Sequence, residues 1–140
     1  MPYDISPEDR IAIENLLTEF GWLVDHGRAG EVADLFTEQA VLATPMFTLS
    51  GSEAIAKQFS KRAKDDTRIS RHIWTNLRLT ALAEDRVKAE MIVQTYVATG
   101  KPPAKTDGLV VGDSLDIVEK QDGVWRFSER RLVVAFKGGD

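Results

Sequence analysis

The sequence predicts an α+β fold in which helices come first and a curved antiparallel sheet then wraps around them as a cone. Three observations carry that expectation. Apolar residues near the start, Ile13, Leu16, Leu17, Phe20, Leu23 and Val24, recur at helical spacing. From Ile69 onward the chain is rich in Val, Ile, Thr, Trp and Tyr in long stretches that suit strands. Short, turn-like segments join those stretches, so neighbouring strands run antiparallel. The 140 residues suit a single core, and residues 1–140 are read as one domain.

Each element has its own signal. Ser6-Pro7-Glu8-Asp9 reads as a helix start, with a capping serine, proline at the first helical position and acids at the positive end of the dipole. Gly27 supplies a stop, which places the first helix at 7–25. A short second helix is expected over 29–36, with Val32, Leu35 and Phe36 on one side. The segment VLATPMFTL reads as two short strands interrupted by Pro45. Gly51-Ser52 leads into a third helix, SEAIAKQFSKRAK, with Ile55, Phe59 and Ala63 on one face. Strands are then expected at 69–83, 86–99, 109–120 and 123–136, joined by Glu84-Asp85, KPPAKTDG and Gln121-Asp122-Gly123 as a four-strand meander. Strands of this length must bend, and a bent sheet closing over a helix leaves a cavity.

Composition narrows the function. A net charge of −4, with no basic stripe between aromatics, argues against nucleic acid as a partner, since phosphate binding needs clustered Lys and Arg. The absence of cysteine excludes disulfides, zinc thiolate sites and thiol nucleophiles. MPYDISPEDR does not read as a signal peptide, and no run approaches the ~18 apolar residues of a membrane helix. A soluble, cytoplasmic protein with no membrane partner is expected. No EF-hand or HExxH spacing, phosphate loop, GxGxxG or G-x-S-x-G elbow appears, so neither a metal nor a cofactor is expected.

Residues 70–79, SRHIWTNLRL, put one of the two histidines into a strand. Strand alternation places Ser70, His72, Trp74 and Asn76 on one face, and Ile69, Ile73, Leu77 and Leu79 on the other. The first set mixes polar groups with one large aromatic, as a pocket wall does. The second suits packed core or a subunit interface. Two readings of His72 stand side by side: a half-buried histidine bonded to backbone, or a proton-transfer group. Asp25 also has two. At roughly 100° per residue it lies away from the Leu16/Phe20/Leu23 stripe, as a solvated helix-end acid would. A helix enclosed by a cone can nevertheless be buried on more than one side. His26, beside Gly27, is expected in an exposed loop. Arg130 has Glu119 as a possible cross-strand partner. Asp113, Asp116 and Glu119 read as a solvated or interfacial acidic face.

The order of elements, with DGVWRFSERR near the end, resembles the nuclear transport factor 2-like (SnoaL-like) superfamily over essentially the whole chain. Val24-Asp25 ending the first helix, Arg71-His72 opening a long strand before Thr75-Asn76-Leu77, and Arg130 in the last strand look like the branch containing scytalone dehydratase and hexachlorocyclohexane dehydrochlorinase. That resemblance implies an aspartate–histidine pair, Asp25 and His72, which takes a proton from carbon while water or halide departs, with Arg130 as a pocket arginine. The chain departs from that pattern at three places. Phe20 stands where the dehydrochlorinase has a lysine, Val24 where scytalone dehydratase has a tyrosine, and MIVQTYV lacks the latter's second histidine.

Histidine, with an ordinary pKa of ~6.5, suits the role of base. An aspartate on its second nitrogen fixes the tautomer and favours the imidazolium that forms. Phe20, Leu42, Trp74, Asn76 and Met91 are the expected substrate-binding residues, around a small hydrophobic ring compound. The expected activity is a cofactor-independent lyase (dehydratase-like) or isomerase. The alternative is a module of the same fold that binds hydrophobic ligands or oligomerises without chemistry. Both sheet faces carry large apolar residues, so a homo-oligomer, dimer or trimer, is expected.

Overall fold

The computed structural model describes residues 4–106 and 108–138. Helix α1, Pro7–Asp25, begins as its sequence requires: Ser6 is extended and its Oγ accepts the Asp9 N–H at 3.1 Å. Its buried side carries Ile13, Leu16, Leu17, Leu23 and Val24. Gly21 is also buried, and it lets the helix lie close against the sheet: a Cβ there would come within 3.2 Å of the His72 Cβ. Asp9 pins the start of α1, its Oδ1 accepting from Lys120 Nζ at 3.2 Å and Trp125 Nε1 at 3.0 Å.

The chain turns at Gly27, φ 79°, into a short 3-10 helix, Ala29–Leu35. The second helix was expected to include Phe36. Phe36 is instead extended (φ −114°, ψ 150°) and opens strand β1, Phe36–Ala43. Its ring is buried against Phe127, centroids 5.1 Å apart, so tertiary packing overrides the helical spacing. The Pro45 interruption is as expected, with Thr44 Oγ1 accepting the Met46 and Phe47 N–H groups, and β2 follows at Thr48–Ser50. Helix α2, Ser52–Lys64, buries Ile55, with Phe59 and Ala63 packed against the core.

Strands β3, Arg68–Ala83, β4, Arg86–Thr99, β5, Gly108–Gln121, and β6, Val124–Lys137, form the expected meander. The sheet is larger than four strands. Its order is β2-β1-β6-β5-β4-β3, because β1 adds parallel to β6 and β2 pairs antiparallel to β1. The Asp122-Gly123 hairpin has positive φ at both residues, 52° and 79°, as a two-residue turn matching strand twist requires. The result is an α+β molecule whose curved, unclosed six-stranded sheet is the cone fold of nuclear transport factor 2-like proteins.

Bulges curve the sheet and change which side chains face inward. In β3 the register shifts between Thr75 and Arg78, with Asn76 at φ 58°. Strict alternation fails there. Leu77 and Leu79, expected opposite Trp74, join it against the core, while Ile73 stays outside at 43% exposure. In β6, Val118 pairs with Phe127 but Ile117 pairs with Glu129. The extra residue, Ser128, brings Arg130 onto the inner face with Phe127.

Candidate active site

Asp25 and His72 meet where the end of α1 crosses β3. Asp25 Oδ1 lies 2.6 Å from His72 Nδ1, and Oδ2 accepts the His72 backbone N–H at 2.7 Å. One residue thus grips both carboxylate oxygens. Ser70 Oγ, two residues earlier on the same face, donates to Oδ1 at 2.7 Å. The Asp25 side chain is 4% exposed, so it is a buried carboxylate and not the solvated helix-end acid that its angle on the helix suggested. His72 keeps 31% of its side chain exposed.

Burial alone would push the Asp25 pKa up. Hydrogen bonds and charge from the His72 ring, with the Ser70 hydroxyl and the His72 backbone N–H, outweigh it and hold the carboxyl below its ordinary 3.8. These donors also offset the unfavourable helix-end position. An ionised carboxylate accepts only, so Nδ1 carries the proton and Nε2 is left as the basic nitrogen on a partly open ring. That arrangement can take a proton from carbon.

Arg130 occupies a second buried cluster. Its guanidinium carbon is 4.5 Å from the Phe20 centroid and 4.3 Å from that of Phe127, between two aromatic faces. Its partner is Asp116, Nη2 to Oδ2 at 3.0 Å, and not Glu119, which faces Arg86 at 3.6 Å. The Asp116 contact lies off the hydrogen-bond direction, so Oδ2 has a counter-charge but no directed donor. Ser114 Oγ accepts from Arg130 at 3.2 Å and donates to Asp116 Oδ1 at 2.8 Å. Burial pushes the Asp116 pKa up, with Arg130 and Ser114 pulling against it. Asp116 is fully buried, which corrects its reading as part of a solvated acidic face.

Phe20 connects the two clusters: its ring meets His72 edge-on, centroids 6.3 Å apart, and touches Phe36, Phe59 and Phe127 in the same manner. Leu42, register partner of Arg130, and Met91 are buried members of the core. Trp74 packs against that core and donates Nε1–H to Thr18 Oγ1 at 3.1 Å. Asn76 is exposed at the bulge, so the alternation that put it on the pocket wall does not hold. His26 is exposed as expected and stacks on Trp22, ring centroids 4.2 Å apart. Among the described residues, no group of three or more His, Cys, Asp or Glu comes together as a metal site, and no helix is long and apolar enough to cross a membrane.

Sequence reasoning named Asp25, His72 and Arg130 but missed Ser70, Ser114 and Asp116 as their partners, and Arg62 behind Ser70. The signal for the first three was present, since Ser70 shares strand parity with His72, and Ser114 and Asp116 share it with buried Val118.

The SnoaL-like domain model matches residues 6–131. The chain belongs to the SnoaL-like domain family. Several solved structures share its fold. A scytalone dehydratase candidate from Novosphingobium aromaticivorans is 24% identical, TM-score 0.84, over 95% of this chain and 88% of its own. Hexachlorocyclohexane dehydrochlorinase LinA-type3 from Novosphingobium barchaimii is 22% identical, TM-score 0.78, over 94% and 89%. A protein of unknown function from Mycobacterium tuberculosis is 21% identical, TM-score 0.79, over 93% and 78%. At such identities the likeness is one of fold. Among curated proteins, no sequence matches the chain significantly. In this fold α1 runs against the sheet, so its last residue, Asp25, and the first inward residues of β3, Ser70 and His72, meet.

Proposed function

We propose that this SnoaL-like protein is a cofactor-independent lyase of the dehydratase type, or an isomerase, acting on a small hydrophobic ring compound in the cytoplasm. The observation that carries the proposal is the 2.6 Å contact between Asp25 and His72, with the carboxylate buried and the imidazole partly open. His72 Nε2 takes a proton from a ring carbon, and Asp25 stabilises the imidazolium that results. Phe20, Leu42, Trp74 and Met91 supply the apolar surroundings in which that charge is felt strongly. Arg130 is the group that would meet negative charge on a leaving atom or enolate. Hydroxylated and halogenated cyclic compounds, screened first by thermal shift and then for release of water or halide, test the reading. His72→Ala and Asp25→Asn should each abolish turnover with the fold intact, and full activity in either would overturn it.

A second reading has its own support. Arg130 is matched by Asp116, and Phe20 and Val24 stand where the two related enzymes have polar groups. A binder that captures hydrophobic ligands without chemistry fits those features. Thermal stabilisation by ligands, unaltered in His72→Ala and without product, would favour it.

The outer sheet face bears on assembly. Ile73, Tyr96, Val133 and Phe136 are exposed there, and the row Ile73–Gln94–Val111–Phe136 runs across four strands. A homo-oligomer, dimer or trimer, that covers this face is part of the proposal.

A further inference from the structure

Behind Asp25 stands a residue that the proton-transfer reading does not use. Arg62, half-buried in the last turn of α2, places Nη2 3.1 Å from Ser70 Oγ, and the same nitrogen lies 3.4 Å from the Arg68 carbonyl. Its Nη1 donates to the Asp65 carbonyl at 3.3 Å. Ser70 is 1% exposed, so its hydroxyl has little water to turn to.

The chemistry of these groups fixes the direction of every bond. A guanidinium has no acceptor, so Ser70 must accept from Arg62. A hydroxyl has one proton, and Ser70's is then committed to Asp25 Oδ1. That oxygen, receiving Ser70's proton at 2.7 Å, accepts His72 Nδ1–H at 2.6 Å as well. With the carboxyl held ionised, the order Arg62→Ser70→Asp25←His72 makes Oδ1 an acceptor from both sides and puts a proton on His72 Nδ1, so that the neutral ring carries its lone pair on Nε2. The interior repeats the device in Arg130→Ser114→Asp116, but there the arginine also touches its carboxylate at 3.0 Å. For Asp25 the contact passes through the serine.

We infer that Arg62 is a positioning residue, acting through Ser70 to hold the Asp25 carboxylate as a pure acceptor and so to set the His72 tautomer. The inference rests on the reading of Asp25 and His72 as the proton-transfer pair. The other charged groups near the pair are Arg71, whose Nη1 reaches the Asp25 carbonyl at 3.4 Å, Arg68 on the same strand, and Arg130 beyond Phe20; Thr95, opposite His72 on β4, does not titrate. None of them donates to the Asp25 carboxylate through Ser70. Desolvation and the nearby Arg68 charge make Arg62 a costly cation to keep here, with Asp65 and Asp25 offsetting part of that cost.

Nitrogen-15 spectra of the imidazoles test the relay without a substrate. The protein has two histidines, and His72→Ala assigns the signals. At a pH where the ring is neutral, the parent should show His72 with the proton on Nδ1. Arg62→Met frees the Ser70 hydroxyl to turn away, and the Nδ1–H to Nε2–H ratio should fall by about threefold to tenfold, the range of one net hydrogen bond. Ser70→Ala should give a similar fall, and Arg62→Met in the Ser70→Ala background should add nothing. Arg62→Lys, a donor-only cation, should restore part of the parent ratio. If Arg62→Met unfolds the helix end, Ser70→Ala, which leaves the Arg62 bonds to the Asp65 and Arg68 carbonyls in place, carries the test alone. An unchanged ratio in the Arg62 variant or in Ser70→Ala, or an Arg62 effect of equal size with and without Ser70, would overturn the inference. Because the readout is the ring itself, a failed turnover assay and a failed relay remain separate results.

Discussion

Gly21 faces His72 across the contact between α1 and β3, and a Cβ at Gly21 would approach the His72 Cβ to 3.2 Å. Mid-helix, Gly costs ~1 kcal/mol relative to Ala, so its presence at a buried helical position needs a reason. Here the reason is distance: the missing side chain lets the Asp25 end of α1 come within hydrogen-bond reach of β3. Gly21→Ala should therefore separate two quantities. The helical gain offsets the local crowding, leaving stability within about 1 kcal/mol of the parent by denaturant unfolding. The dyad should loosen, seen as a change in the His72 ring signals and a loss of turnover or ligand affinity. A variant with unperturbed His72 signals would show that the close approach has no bearing on the site.

Asp25 makes stability depend on acid in a defined direction. Its folded pKa lies below the ordinary 3.8. A depressed carboxyl contributes its stabilisation above the unfolded value and loses it as the pH falls through the folded one. The contribution is therefore complete at neutral pH, begins to fade as the pH falls past about 3.8 and is gone only below the lower, folded value. Asp25→Asn should flatten the acid limb of a stability–pH profile and lower stability at pH 7, because two hydrogen-bond donors and a half-open imidazole lose their ionised acceptor. Parallel acid limbs for parent and variant would refute the assignment.

The interior pair Asp116 and Arg130 leads to a different pattern. Both are buried, and Asp116 Oδ2 has a counter-charge without a directed hydrogen bond. Removing one member strands a buried charge, which costs about 3–5 kcal/mol. Arg130→Met and Asp116→Leu should each be severely destabilising, while the double variant should cost less than the sum and less than the worse single. Additive losses on denaturant unfolding would mean that the two groups act independently.

Much of this was legible in the sequence because its signals are local. Ser6-Pro7 capping, the Gly27 stop and the Asp122-Gly123 turn each depend on a few neighbouring residues, and each stands where expected. Asp25 and His72 were nameable only through resemblance, since neither helical angle nor strand parity brings residues so far apart in sequence together. What alternation could not supply were the bulges. One extra residue at Asn76 or Ser128 reverses which side chains face inward; asparagine's tolerance of positive φ, 58° at Asn76, is a weak local hint for the first, and nothing local marks the second. Leu77, Leu79 and Arg130 were placed incorrectly or left undecided for that reason. Parallel pairing of β1 with β6 was hidden as well, because it is a contact between the two ends of the chain.

The outer face supplies the last prediction. Phe136 is 71% exposed, and its register row continues through Val111 and Gln94 to Ile73. Arg78, Lys88 and Glu90 lie farther along β3 and β4, so their long side chains do not reach this end of the sheet. A mostly apolar row left in water is a surface that another copy of the chain can cover, in a two-fold dimer with the row against its own counterpart, in a three-fold ring with the row against a different patch of the next copy. Sedimentation at micromolar concentration should then give a mass of two or three times the 15.6 kDa chain. Phe136→Asp with Ile73→Lys should return it to the single-chain mass while leaving the His72 ring signals in place, since both positions lie on the face opposite Asp25. A parent already sedimenting at 15.6 kDa would show that twist and flanking side chains shield the row in the monomer.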